Sequence, residues 1–274
     1  MRLVELELPE RYELASDPLL GQGGMGRVYR ARDRVLDLPV AIKVVRPELA
    51  ADPRFRKLFD LEVRVSARFT HPHIVPLHDH GELADGTPFL GLALADAGSF
   101  KTLSEEGPTD WSDLLRLFLE VIDALSHLHA WDVLHRDLKP ENVLLFTGDD
   151  GQRHVWLADL GLANASLALA KRQGRREGTP GYMAPEQFMG LPREYGPATD
   201  IYALGVLIWE LVTGRLPFDR QSTSASEDLG TLEPREGLFV PADLSLILKN
   251  CLDPEPLSRY DLVADVRTDL LALG

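Results

Sequence analysis

The stretch "HRDLKPENVLL", residues 135–145, places a histidine, an arginine, an aspartate, a lysine and an asparagine within eight positions and then runs directly into aliphatic residues. Charge at this density ordinarily belongs to solvent, whereas the aliphatics that follow ask for burial. The two requirements agree when a polar loop is held rigid by apolar packing, as a chemical site needs. Upstream, Leu115, Leu119, Ile122 and Leu125 keep a helical repeat through 112–129. Downstream, "NVLLF" and "HVWLADLG" read as a small hairpin joined by "TGDDGQR", and segments 200–213, 242–252 and 261–273 are again helical.

The first hundred residues read differently. "GRVYRARD" (26–33) and "LPVAIKVV" (38–45) are short β-rich runs, and "ELADGTPFLGLAL" (82–94) sets Asp85-Gly86 between two more, a hairpin turn signal. One helix interrupts them. Asp52 caps it, Pro53 suits its first turn, and Phe55, Phe59, Glu62 and Ser66 fall on one face. A carboxylate in line with two phenylalanines needs a partner. The expected organisation is a strand-rich front half with one helix, a hinge at 93–100 ("ALADAGSF"), and a mostly helical back half. The polar run 220–237 reads as a mobile loop.

The 274 residues are 45% hydrophobic and 26% charged, an ordinary soluble composition able to bury a core. A formal net charge of −14 argues against nucleic acid as a partner, because a binder needs basic surface to displace phosphate counterions. The longest apolar run, "IYALGVLIW" (201–209), is half of what spans a bilayer, and "MRLVELELPE" lacks the apolar core of a signal peptide. Cys251 is the only cysteine, so no intrachain disulfide forms and a reducing cytoplasm is the expected compartment.

"LGQGGMGRV" (20–28) contains Gly21, Gly23 and Gly26 in the pattern GxGxxGxV, in which backbone N–H groups approach a phosphate closely. A dinucleotide fold would open a helix directly after these glycines; strand-like "VYRA" follows instead. "VAIK" then supplies Lys43 on an otherwise aliphatic strand, a phosphate ligand when paired with a glycine loop, with Glu62 its expected partner.

These pieces, in order "GQGGMGRV", "VAIK", Glu62, "HRDLKPEN", "ADLG" (158–161), "GTPGYMAPE" (178–186), "DIYALG" (200–205) and "RY" (259–260), resemble the protein kinase family, specifically bacterial Ser/Thr kinases of eukaryotic type. The resemblance covers Tyr12 to Leu273 and implies an α+β, bilobal protein kinase-like fold in one domain: a small β-rich N-lobe over 1–92 with one regulatory helix, a hinge at 93–100, and a larger, mostly helical C-lobe over 101–274. It implies ATP-dependent phosphoryl transfer to Ser/Thr hydroxyls of protein substrates, with ATP and Mg²⁺ between the lobes. Asp137 resembles the residue that orients the hydroxyl and takes its proton, Lys139 the lysine on the γ-phosphate, and Thr179 the threonine that bonds both. Asn142 and Asp159 resemble the Mg²⁺ ligands, hard oxygen donors suited to that ion. Lys43 and Glu62 resemble the phosphate-binding ion pair; Gly21, Gly23, Gly26, Val28, Ala41, Ala93 and Ala95 resemble the nucleotide contacts, with Leu92 as gatekeeper. Glu186 and Arg259 resemble the family's buried ion pair, and Asp200 the aspartate that bonds the backbone of the loop carrying Asp137.

Three departures stand out. Leu160 replaces the usual phenylalanine of the magnesium motif with a similar apolar volume. Ser166 is the only hydroxyl residue in 162–178, so Arg136, which resembles the arginine that grips a loop phosphate, meets Gln173 and Lys171 near the expected acceptor positions. The loop is therefore expected to order without primary phosphorylation, and its basic run Lys171, Arg172, Arg175 and Arg176 to lie in solvent or to attract acidic substrates. Residues 219–240 leave little room for the docking helix that follows "PF" in relatives. Four histidines in "HPHIVPLHDH" (71–80) suggest a metal site at His78 and His80, but the resemblance explains "HPHIV" as the turn after the regulatory helix. The rival readings are a nucleotide-gated scaffold, which would lack one of the five charged or amide site residues, and a small-molecule phosphotransferase, against which the peptide-laying segment "GTPGYMAPE" speaks.

Overall fold

Gly26 has no room for a side chain, since a Cβ there would stand 2.1 Å from the carbonyl oxygen of Val44. This approach holds β2 (Gly26–Asp33) against β3 (Leu38–Val45) in a register that sets Val28 opposite Lys43. The computed structural model describes residues 6–107, 110–160, 179, 181–218 and 229–274, with the side chains of Leu58, Leu61, Glu62 and Val65 also outside the described set. With β1 (Tyr12–Gln22), β4 (Leu77–Glu82) and β5 (Pro88–Ala93), the two strands form an antiparallel sheet of order β1-β2-β3-β5-β4. The central strand β3 is buried from Val40 to Val45, which explains its near-continuous aliphatic sequence and makes Lys43 conspicuous in it.

Both faces of the sheet are packed. On one, α2 (Pro53–Ser66) sets Phe55, Phe59 and Val63 against Val45 and against Leu49 and Ala50 of the short α1 (Pro47–Ala50). Asp52 starts α2 by accepting the N–H of Arg54 at 3.0 Å. On the other, Tyr12, Ala31, Val40, Ile42, Val44 and Phe89 form a second cluster. Gly86, in the turn between β4 and β5, takes the positive φ of 80° that the Asp-Gly pair anticipates.

The helical lobe is built around α4 (Trp111–His129) and α6 (Pro197–Thr213). Asp110 caps α4 through the N–H of Asp113 at 2.9 Å. α6 is buried at every residue from Thr199 to Trp209, as expected of a helix apolar on all sides. Around this pair lie α3 (Phe100–Glu106), the hairpin β6 (Val143–Thr147) and β7 (Arg153–Leu157), α5 (Pro185–Met189), α7 (Leu244–Cys251) and α8 (Val263–Leu271). All but α5 share one apolar cluster with α4 and α6. The β-rich and helical halves thus follow the sequence reading, with α1, α3 and α5 too short to have shown a periodicity.

One expectation needs correction. Of the run read as a mobile loop, 220–228 lies outside the described residues, and Arg235 in the remainder is tied down: its N–H donates to Val212 O at 2.9 Å and its guanidinium bonds Ser104 on α3. Composition alone missed this because a single long cation reaches 131 residues back along the chain. The described part of 219–240, residues 229–240, contains no helix. Among the described residues, no helix is long and apolar enough to cross a membrane.

Candidate active site

A cleft of about 1090 Å³ opens between the sheet and the helical lobe. Its sheet side carries Gly21, Gly23, Gly26, Val28, Ala41 and Lys43, its back wall Leu92, Ala93 and Ala95, and its helical side Asp137, Lys139, Asn142, Asp159 and Thr179. Every predicted site residue therefore lines one space except Glu62, whose side chain lies outside the described residues. Leu92 also lines a small cavity of about 40 Å³ behind the cleft, bounded by Lys43, Phe59 and Leu160. The N–H of Ala93 is taken by Pro76 O at 2.9 Å, so Ala93 has only its carbonyl to offer a ligand.

The polar loop of the opening stretch is held at both ends. Val143 and Leu145 are fully buried in β6, and Leu138 beside Asp137 is equally buried. From beneath, the buried Asp200 accepts the N–H groups of His135 at 2.9 Å and Arg136 at 2.8 Å, and bonds His129 Nε2 at 2.8 Å. Burial alone would push the Asp200 carboxyl up; His129, then His135 and the Arg136 amide, outweigh it and hold the carboxyl below its ordinary range. Arg136 itself has a φ of 63°, a left-handed conformation that a non-glycine residue keeps only when its surroundings impose it. Here the Asp200 carboxylate does so. His129 was not singled out from the sequence, although it falls on the apolar face of α4 four residues after Leu125, where a polar group needs a buried partner.

Three polar groups close a triangle at the mouth of this loop. Lys139 Nζ lies 2.8 Å from Asp137 Oδ2 and 2.8 Å from Thr179 Oγ1, and the Thr179 hydroxyl donates to Asp137 Oδ1 at 2.9 Å. Asn142 Nδ2 donates to the Asp137 carbonyl at 2.8 Å, which commits the nitrogen and leaves the amide oxygen as the side chain's acceptor. Across the cleft Lys43 Nζ stands 2.5 Å from Asp159 Oδ1. Burial raises the Asp159 carboxyl, but Lys43, with His135 and Lys139 behind it, brings it below the ordinary range. Lys43 thus has a carboxylate partner 116 residues away, where the sequence reading named Glu62. Asp159 also takes a positive φ, 62°.

Other predicted structural roles have clear geometry. Arg259 forks onto Glu186 at 2.9 and 3.0 Å with both side chains fully buried, and its remaining donors reach the carbonyls of Asp253, Ala198 and Pro254. His78 and His80 point outward from β4 while Asp79 turns inward to Arg11 and Tyr12, and no group of three or more His, Cys, Asp or Glu among the described residues is arranged for a metal ion. Ser166 and the basic run 171–176 lie outside the described residues.

Comparison with known proteins agrees with this geometry. The family model "Protein kinase domain" matches residues 14–265. The chain is 36% identical to Serine/threonine-protein kinase pkn3 of Myxococcus xanthus, over 77% of this chain and 39% of the relative. It is 31% identical to Serine/threonine-protein kinase PrkC of Bacillus subtilis, over 98% of this chain and 41% of the relative. It therefore spans about two fifths of the length of these relatives. The solved PknI kinase domain of Mycobacterium tuberculosis superposes with a TM-score of 0.74 at 28% identity, covering all of both chains. With the fold, the cleft and the family model in agreement over most of its length, the chain belongs to the protein kinase family.

Proposed function

We propose that the chain transfers the γ-phosphoryl group of ATP to serine and threonine hydroxyls of protein substrates. The observation that carries this reading is the Asp137–Lys139–Thr179 triangle facing the Lys43–Asp159 pair across one cleft. Asp137 is the proton acceptor for the substrate hydroxyl, its carboxylate aimed by the Thr179 hydroxyl and by Asn142. Lys139, within hydrogen-bond distance of both Asp137 and Thr179, is positioned to neutralise charge that develops between the hydroxyl and the phosphorus. Lys43, on the buried β3, approaches the phosphates from the sheet side. Glu62 stands in this reading as the carboxylate that receives Lys43 from α2.

The donors fit Mg²⁺: the Asp159 carboxylate and the Asn142 amide oxygen are hard ligands, and Asn142's nitrogen is already committed to Asp137. When bound, the ion screens the triphosphate and orients its terminal oxygens. Gly21, Gly23 and Gly26 cover the phosphates; Val28, Ala41, Leu92 and the backbone of Ala93 and Ala95 frame the base.

The proposal takes 1–92 and 101–274 as two lobes of one catalytic domain hinged at 93–100, working in a reducing cytoplasm. The test is incubation with Mg²⁺-ATP labelled on the γ-phosphate, followed by phosphoamino-acid analysis. Label on serine and threonine of protein is the expected result; label confined to a small metabolite would give the function to the phosphotransferase alternative.

A further inference from the structure

The glycine loop is fastened to the corner where β3 turns into the regulatory helix, and one residue supplies most of the fastening. Arg46 follows β3 directly. Its N–H donates to Met25 O at 2.8 Å and its guanidinium to Gly23 O at 2.7 Å. Its own carbonyl accepts the N–H groups of Leu49 and Ala50, each at 3.0 Å, and so starts α1. A third tie is apolar. Met25, at the loop's tip, packs into the cluster of Val45, Leu49, Phe55, Phe59 and Val63 that joins β3, α1 and α2.

The loop's other ties lie within its own hairpin: Gly21 and Gln22 pair with Val28 and Arg27 of β2, and the Gly23 N–H donates to Gly26 O at 2.9 Å. A Cβ added at Gly21, Gly23 or Gly24 would meet nothing within 4 Å, whereas at Gly26 it would collide with Val44 O. Gly26 is therefore a fixed pivot, and Arg46 and Met25 are what hold the tip above the cleft. Both line that cleft.

We infer that the glycine loop and the α1–α2 corner move as one body, with Arg46 and Met25 as positioning residues that set how closely the loop covers the phosphates. A shift of α2 is then transmitted to the nucleotide through the loop as well as through Glu62. The inference rests on the phosphate-binding reading of the loop proposed above.

Hydrogen–deuterium exchange on the full chain without nucleotide tests the coupling apart from catalysis. Exchange at residues 21–26 is expected to rise about threefold or more in Arg46→Gln and Met25→Ser, and also in Phe59→Leu, which disturbs the α2 side of the cluster and leaves the loop's own sequence and Arg46 intact. Met25→Leu, which keeps the apolar contact, restores the wild-type rate. In steady-state assays Arg46→Gln raises the KM for ATP about three- to tenfold, the worth of one ordinary solvent-exposed hydrogen bond, and leaves the KM for protein substrate unchanged. Unchanged exchange at 21–26 in all three variants overturns the coupling, as does a raised KM without loosened exchange, which would make Arg46 a direct phosphate ligand. Loosened exchange in a wild-type background that transfers no phosphate removes the catalytic reading and leaves the coupling standing.

Discussion

Lys43 Nζ and Asp159 Oδ1 lie 2.5 Å apart, joining the sheet lobe to the helical lobe across the cleft. The residue proposed to hold phosphate and the residue proposed to hold Mg²⁺ neutralise each other in this state. Nucleotide and metal entering together exchange one ion pair for two interactions of opposite sign, so neither group is left as an uncompensated charge.

Replacing Lys43 with methionine removes that compensation. The expected kinetic effect is a fall in kcat/KM of about 10²–10³, the scale for losing one preorganised charge at a reacting group. Because burial raises the Asp159 carboxyl and Lys43 is the first group to lower it, the Asp159 pKa rises in the variant, which side-chain NMR titration reads directly. An unmoved carboxylate together with near-wild-type kcat/KM would show the pair to be incidental.

Glu186 and Arg259 form a fully buried, two-pronged pair. Arg259→Ala leaves Glu186 charged and buried, with the Thr199 hydroxyl its remaining donor in this network. Urea denaturation is expected to show a loss of about 3–5 kcal/mol. A loss under about 1 kcal/mol, the value for an exposed pair, would contradict the buried geometry.

Asp33 gives an acid-side test. The Arg11 guanidinium, opposed by burial and assisted by the N–H groups of Leu36 and Val35, holds its carboxyl at about 2. A folded pKa below the unfolded value stabilises above the unfolded value and is lost as pH falls through the folded one. The stability gap between wild type and Asp33→Asn should stay level from neutral pH down to the unfolded value of about 4 and then close as pH approaches 2. A gap that is constant throughout would rule out this linkage.

His154 has the opposite sign. Burial lowers its pKa, but bonds to Glu120 at 2.8 Å and to Asp150 at 3.2 Å win, and the net direction is upward. Its stabilisation is fully present below the unfolded value of about 6.5 and is lost as pH rises through the folded value. His154→Gln should therefore cost more stability at pH ~5.5 than at pH ~9, by thermal denaturation at matched ionic strength.

The site was legible where its parts are close in sequence and illegible where one partner is remote. Asp137, Lys139 and Asn142 lie within six residues and announce themselves as a polar loop against aliphatics. Thr179, 42 residues from Asp137, was readable only through family resemblance. Lys43 could be recognised as a buried cation needing a carboxylate. Whether that carboxylate comes from α2 or from the other lobe depends on how the lobes meet, which no local pattern encodes. His129 and Arg46 were passed over for the same reason, their partners being 71 and 23 residues away. In the fold, long periodic α4 and α6 and the Asp-Gly hairpins read correctly, whereas four-, five- and seven-residue helices carry too few turns to show a stripe.

The central claim is that Asp137 acts on the substrate hydroxyl in a cleft that holds the nucleotide independently of it. Single-turnover phosphoryl transfer from Mg²⁺-ATP to a protein substrate, measured beside equilibrium ATP binding for wild type and Asp137→Asn, tests it directly. The expected result is a rate lower by about 10²–10⁴ in the variant with ATP affinity unchanged. Equal transfer rates for the two proteins would contradict the claim.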